Sequence, residues 1–177
     1  ALSYLDQLFK QDGNSIAALI MEPLVQAAGG ILVHPPGFLK AVRDLTHRYD
    51  ILLILDEIAV GFGRTGTMFA CEQEDVSPDI LCLGKGLTAG YLPMAATITT
   101  EKVWENFLGS HKDGRAFYHG HTFGGNPLAA AVALESLNIF QEERLLETLR
   151  ERIEQLQYLV KKVGQPGSFK DPIDTRH

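Results

Sequence analysis

Two short apolar runs that end abruptly in charge constrain this chain most. Ile51-Leu52-Leu53-Ile54-Leu55 runs into Asp56-Glu57, and Leu81-Cys82-Leu83 runs into Gly84-Lys85-Gly86. Consecutive apolar residues bounded by polar ones read as a strand buried on both faces, the pattern of a parallel sheet. In open α/β sheets, functional groups gather at the carboxyl ends of such strands. Asp56 and Lys85 are therefore expected to face one crevice.

The rest of the chain supplies the elements such a sheet needs. Residues 16–21, 80–83 and 94–99 read as further strands. Helical patterns cover 2–10, 37–49, 101–107, 127–140 and 142–163. In the second of these Phe38, Leu39, Val42 and Leu45 recur at helical spacing. Thr100 is the expected N-cap of the third helix, and Asn126 with Pro127 makes the N-cap and first position of the fourth. The alanine-rich side of that helix predicts close packing. Residues 24–34 read as a loop bracketed by Gly29-Gly30 and Pro35-Pro36, and 69–73 as a helical turn. Gly164-Gln165-Pro166-Gly167 ends the last helix. Strands alternating with helices are the signature of βαβ units. The fold class is α/β, a mostly parallel sheet with helices on both faces.

Composition narrows the function classes. A length of 177 residues suggests one domain or a little more. With 45% hydrophobic and 21% charged residues there is ample material for a core. The net charge of -6 argues against a nucleic-acid partner, which usually requires a basic footprint. Cys71 and Cys82 are too few for a disulfide framework and lack metal-site spacing, so a reducing cytoplasm is the default. His119 and His121 have no carboxylate or cysteine at ligand spacing, and no metal is expected. No apolar run approaches membrane-spanning length. The chain opens inside a helical pattern without Met, and reads as a piece of a longer protein.

Each candidate group has an ordinary reading beside its functional one. An apolar run ending in Asp-Glu also occurs in nucleotide hydrolases, where the Asp holds magnesium. That chemistry needs a loop of the form G-x-x-x-x-G-K-[ST]. Here Asp79 stands where Gly is required and Gly86 where Ser or Thr is required, so the motif fails. Gly61-Phe62-Gly63-Arg64-Thr65-Gly66 matches G-x-G-x-x-G letter for letter, yet it begins beyond the strand end and opens no helix. Asp56 alone serves equally as a loop cap. Lys85 at the end of an apolar strand has little room to reach solvent, and burial favours the neutral, nucleophilic amine that forms Schiff bases. Its flanking glycines let a planar ligand approach the backbone. The other reading is a lysine in a surface turn. Thr122, in a glycine-rich loop just ahead of a helix, suits an anion or an ordinary turn.

Four segments taken together resemble the class III aminotransferases, pyridoxal-phosphate enzymes of fold type I. They are Glu22-Pro23-Leu24-Val25-Gln26, the run from Asp56-Glu57-Ile58-Ala59 through Gly61-Phe62-Gly63-Arg64-Thr65-Gly66, the run from Pro78-Asp79-Ile80 through Gly84-Lys85-Gly86-Leu87-Thr88, and His121-Thr122-Phe123-Gly124-Gly125-Asn126-Pro127. The resemblance implies pyridoxal 5'-phosphate as cofactor, bonded by Lys85, which then moves a proton as base and acid. It implies that Asp56 pairs with the pyridine nitrogen and keeps it protonated. Ile58, two residues on and so on the same face, would pack against the ring. Thr122 would bind the phosphate, from the partner subunit of a homodimer. Arg64 is expected near the substrate, with a structural use in its loop as the alternative. Residues 1–140 would form part of the large cofactor domain, and 141–177 the linking helix and the start of a small C-terminal domain. A second phosphate loop is expected upstream of Ala1 and a substrate arginine beyond His177.

Finer features resemble the branch of this family that serves biotin synthesis by aminating 8-amino-7-oxononanoate. They include Ala28, Ala59, Phe69-Ala70-Cys71-Glu72 and Ala95-Ala96-Thr97-Ile98-Thr99-Thr100, while Ala27, Val60 and Ala89 depart from the commoner pattern. The amino donor, adenosylmethionine or lysine, stays open. So do two other readings, another class III ω-amino-acid aminotransferase and a truncated, non-catalytic module.

Overall fold

The computed structural model describes residues 1–163. Its centre is a four-stranded sheet of β1 (Ala18–Met21), β4 (Leu52–Asp56), β5 (Ile80–Leu83) and β6 (Ala96–Thr99), in that spatial order. β1 and β5 both run parallel to β4, and β6 is antiparallel to β5. The sheet is mostly parallel, as the alternation of strands and helices predicts. Helices α1 (Leu2–Asp12) and α2 (Phe38–Arg48) are followed, past the sheet's middle strands, by α3 (Glu101–Trp104), α4 (Pro127–Glu142) and α5 (Leu145–Val163). A two-stranded antiparallel ribbon, β2 (Val25–Gln26) with β3 (Leu32–Val33), stands apart from the sheet. Among the described residues no helix is long and apolar enough to cross a membrane.

The core lies on one face of this sheet. Side chains alternate along a strand, so Leu53 and Leu55 point one way and Leu52, Ile54 and Asp56 the other. Leu53 and Leu55 pack with Leu39 and Val42 of α2, with Cys71 and Val76, and with Leu2 and Leu5 of α1. Leu39, Leu53 and Leu55 are each 0% exposed. Full burial of one leucine contributes about 2 kcal/mol, enough to fix which side of β4 faces inward. Asp79 ties α2 to the sheet: its Oδ2 accepts from Arg43 Nη1 at 2.6 Å and from the Leu53 N–H at 2.8 Å. A second carboxylate, that of Glu74, caps α2 by accepting from the N–H groups of Gly37 and Lys40, both at 2.8 Å. α4 buries Ala129, Ala133 and Ser136, its small-residue side, as close packing requires.

Several expectations change in detail. The 51–55 run is not buried on both faces: its alternate members Leu52 and Ile54 are only half-buried, and Ile20 beside Ile54 in register is 64% exposed. The helices α1 and α2 cover the Leu53 face alone. The expected loop at 24–34 contains the β2–β3 ribbon. The strands near 16–21 and 94–99 begin two residues later than predicted, at Ala18 and Ala96. α3 stops at Trp104 and passes into a 3₁₀ turn, Glu105–Phe107. The helical turn at 69–73 is a 3₁₀ segment, Ala70–Glu74. α4 and α5 are separate because Arg144, at φ 50, takes the left-handed conformation between them. Asn126 caps α4 with its side chain, accepting from Leu128 N at 3.0 Å, whereas Thr100 occupies the N-cap of α3 without a side-chain bond. The Gly164-Gln165-Pro166-Gly167 stop lies outside the described residues.

Candidate active site

The two charged strand ends are neighbours. Asp56 is the last residue of β4 and pairs in register with Cys82 of β5, just ahead of Lys85. Asp56 Oδ1 accepts from the Ile58 N–H at 3.0 Å, a local turn that draws Ile58 back over the strand end. The Ile58 side chain then lies over Gly84: its Cγ1 and Cγ2 stand 3.4 Å from where a Cβ on Gly84 would be. Lys85 follows directly and heads a 3₁₀ turn, Lys85–Thr88. Two contacts thus link the carboxylate, the apolar side chain and the backbone just ahead of the amine-bearing Lys85. The other oxygen of Asp56 and the Lys85 Nζ have no protein partner among the described residues.

Lys85 differs from the expectation in one respect. It is exposed, not buried. The strand ends at Leu83, and Lys85, at φ 43, turns away from the strand's course in the left-handed region that non-glycine residues rarely adopt. Strain of this kind is held only where the surroundings over-determine it, and it clusters at functional sites.

Behind this pair sits a residue for which the sequence reading found no role. Glu57 shares the parity of Leu53 and Leu55, so it points into the core, and it is 0% exposed. Its Oε2 accepts from the Ala70 N–H and its Oε1 from the Cys71 N–H, both at 2.9 Å. Its own N–H donates to Cys82 O at 3.0 Å, and its carbonyl accepts from Gly61 N at 2.8 Å. Burial raises the Glu57 pKa against the opposing pull of those two N–H donors. Burial and the nearby Glu57 carboxylate together push the Cys71 thiol up to about 12. Burial, then the charge of Asp56, raises Cys82 as well. The signal for Glu57 was available: strand alternation assigns it to the core face, and a buried carboxylate needs donors.

Arg64 and Thr122 are not brought to the strand ends by contacts of this kind. The glycine-rich loop at 61–66 lies against α4 and α5. At Gly63, whose φ of 83 suits glycine, an added Cβ would stand 3.3 Å from Leu149. Arg64 is exposed and lines a cavity of about 450 Å³ with Phe62, Phe140, Thr148, Leu149 and Arg152. Thr122 is exposed in the turn ahead of α4. Next to it, Phe123 N donates to His121 Nδ1 at 3.2 Å and Gly124 N to His121 O at 2.8 Å. This turn borders a wider cavity of about 780 Å³ shared with Pro93, Met94 and Ala95.

The donor set at the strand ends fits pyridoxal phosphate. A carboxylate with a free oxygen suits a protonated ring nitrogen, a primary amine suits an aldehyde, and the Ile58 side chain between them suits a flat ring. Known proteins agree with this chemistry. Residues 1–170 match the family model for aminotransferase class III. The chain belongs to the class III aminotransferases, a pyridoxal-phosphate-dependent family.

Its relatives narrow the comparison further. It is 55% identical over 159 residues to the adenosylmethionine-8-amino-7-oxononanoate aminotransferase of Nitratidesulfovibrio vulgaris, covering 90% of this chain and 29% of that protein. It is 57% identical over 155 residues to the Aquifex aeolicus protein of the same name, covering 88% of this chain and 34% of that one. The chain spans about a third of the length of such relatives. The crystal structure of the Methanocaldococcus jannaschii protein of that name superimposes with a TM-score of 0.88 at 38% identity, over 93% of this chain and 38% of that one. The ornithine aminotransferase of Toxoplasma gondii, described with partial occupancy of PLP at its active site, gives 0.79 at 36% identity, over 92% and 36%.

Proposed function

We propose that the protein to which this chain belongs is a cytoplasmic, homodimeric transaminase that passes an amino group to 8-amino-7-oxononanoate, giving 7,8-diaminononanoate for biotin synthesis. The observation that carries the catalytic part is the linkage of Asp56, Ile58, Gly84 and Lys85 across the ends of β4 and β5. The substrate rests on the relatives of that name and on Ala28, Ala59 and the 69–72 and 95–100 segments.

When bound, pyridoxal phosphate supplies an aldehyde and an electron-withdrawing ring that stabilises negative charge on the substrate carbon. The chain's own residues do the rest. The free oxygen of Asp56 holds the proton on the ring nitrogen. Ile58 packs against the ring and keeps water from that face. The Lys85 amine would take the proton from the substrate carbon that bears the amino group, as base, and deliver it to the cofactor's aldehyde-derived carbon, as acid. The partner subunit's Thr122 donates its hydroxyl to the cofactor phosphate. Arg64 is assigned to the substrate on family resemblance alone, since its neighbours here are those of the α5 cavity.

The test is spectroscopic. Full-length protein mixed with pyridoxal phosphate is expected to gain a visible absorption band that borohydride fixes covalently onto Lys85. Lys85→Ala is expected to lose both the band and transamination. Label on another lysine refutes the assignment. Rates with 8-amino-7-oxononanoate, ornithine and γ-aminobutyrate then separate the proposed substrate from other members of the class. No turnover with any of the three, in protein that lacks the band, marks a non-catalytic module.

A further inference from the structure

We propose that Glu57 is a positioning residue for the Asp56–Lys85 pair, acting through the protein and not by touching substrate or cofactor. The inference rests on the functional reading above.

Glu57 is a fully buried carboxylate that the transamination chemistry does not use. Burying a charge is costly unless it is hydrogen-bonded. Its position is nonetheless the only one in the strand-end loop bonded on three sides at once among the described residues. Its N–H reaches β5 at Cys82 O, a few residues short of Lys85. Its carbonyl takes the Gly61 N–H and so closes the turn that carries Ile58. Its carboxylate takes the N–H groups of Ala70 and Cys71.

The carboxylate arm also leads to Lys85 from the far side. Ala70 and Cys71 open the 3₁₀ segment that follows Phe69. The Phe69 ring meets the Phe62 ring edge-on, with centroids 5.7 Å apart. Phe62, itself left-handed at φ 54, presses on Gly86, where an added Cβ would stand 2.7 Å from Phe62 Cβ. Gly86 directly follows the strained Lys85. One arm from Glu57 therefore fixes the strand end bearing Asp56, and the other backs the turn bearing Lys85. Two strained residues, Phe62 and Lys85, flank the contact, as expected where surrounding structure imposes a backbone conformation.

A small displacement of a catalytic group costs rate out of proportion to its size, up to about 100-fold for roughly 1 Å. In the full-length enzyme, Glu57→Ala is expected to lower kcat roughly 10- to 100-fold while changing the substrate KM by less than about threefold. The pH midpoint of the cofactor's visible band is expected to move, because that midpoint reports how Asp56 and Lys85 face the ring. Glu57→Gln, whose amide oxygen can still accept from one of the two N–H groups, is expected to recover part of kcat and of the midpoint. If Glu57→Ala does not fold, Glu57→Gln alone carries the test in the same direction.

A folded variant that keeps kcat within about twofold and keeps the band's midpoint overturns the proposal and leaves Glu57 a brace of the fold only. Absence of the band from the unaltered enzyme is a different result. It refutes the functional reading on which the inference rests.

Discussion

The candidate site has two parts that the chain treats differently. The strand-end part is built into the core: Asp56 sits on a strand whose other face is dry, and the adjoining Glu57 is bonded on three sides. The part around Thr122 is almost unsupported. Phe117, Tyr118 and Phe123 near it are 65%, 81% and 74% exposed, and the turn is held mainly by bonds to His121. Exposed aromatics in a row are the mark of a surface that meets something else. The contrast teaches that one part of the site is a property of this chain's fold. The other is exposed to solvent, as the proposed reach of Thr122 to a partner subunit's cofactor would require.

The largest effect expected from this contrast is at Glu57. Glu57→Ala leaves the Ala70 and Cys71 N–H groups buried without an acceptor, at about 1–3 kcal/mol each. Relief of the carboxylate's burial, which raises its pKa, offsets part of that. A net loss of about 3 kcal/mol is expected in urea melts of the full-length protein at fixed concentration. A loss under about 0.5 kcal/mol breaks the comparison, because the strand-end part would then be no better anchored than the Thr122 turn.

Asp79 comes next and adds a dependence on pH. Burial alone would raise its pKa, but the Arg43 hydrogen bond, the Leu53 N–H and the Arg43 charge outweigh burial and lower it. A carboxylate whose folded pKa is depressed stabilises the fold above its unfolded value, near 3.9, and that contribution is lost as pH falls through the folded value. Asp79→Asn is therefore expected to cost about 2 kcal/mol at neutral pH. The gap between variant and parent should shrink below about pH 4. Urea midpoints at neutral pH and near pH 3 check both parts. A gap that stays constant across that range shows that the Asp79 charge is not what joins α2 to β4.

How much of this was legible in the sequence differs between the same two regions. The 51–55 run marked a strand, and its abrupt end at Asp56 marked where chemistry collects. Alternation placed Ile58 with Asp56. The same alternation assigned Glu57 to the core, but a reading that treats Asp-Glu as one charged stop passes over it. The exposure of Lys85 was legible only as the alternative reading, a lysine in a surface turn, because no local pattern announces a left-handed backbone at a lysine. The β2–β3 ribbon was hidden for a simpler reason: two-residue strands are too short to show a period of two. Asn126-Pro127 marked the start of α4 through its cap. Nothing in the preceding turn said what Thr122 faces, since a hydroxyl with no partner among the described residues leaves no pattern to read.

The smallest expected change is at Thr122, and it sharpens the contrast from the other side. Thr122 is exposed and its side chain has no hydrogen bond among the described residues. Thr122→Ala should therefore leave the urea midpoint within about 0.5 kcal/mol of the parent. If the hydroxyl donates to a cofactor phosphate across a subunit interface, the same substitution removes a hydrogen bond to a charged group, worth about 1.5–3 kcal/mol. The full-length dimer should then bind pyridoxal phosphate roughly tenfold or more weakly, and Thr122→Ser should restore most of that. Mixed dimers give the decisive arm. Pairing a Lys85→Ala subunit with a Thr122→Ala subunit puts both lesions in one site and leaves the other site whole, provided that Thr122 acts across the interface. Should Thr122 act within its own subunit, each site of the mixed dimer carries one lesion and none is whole. Cofactor binding to such dimers at limiting concentration distinguishes one intact site from none.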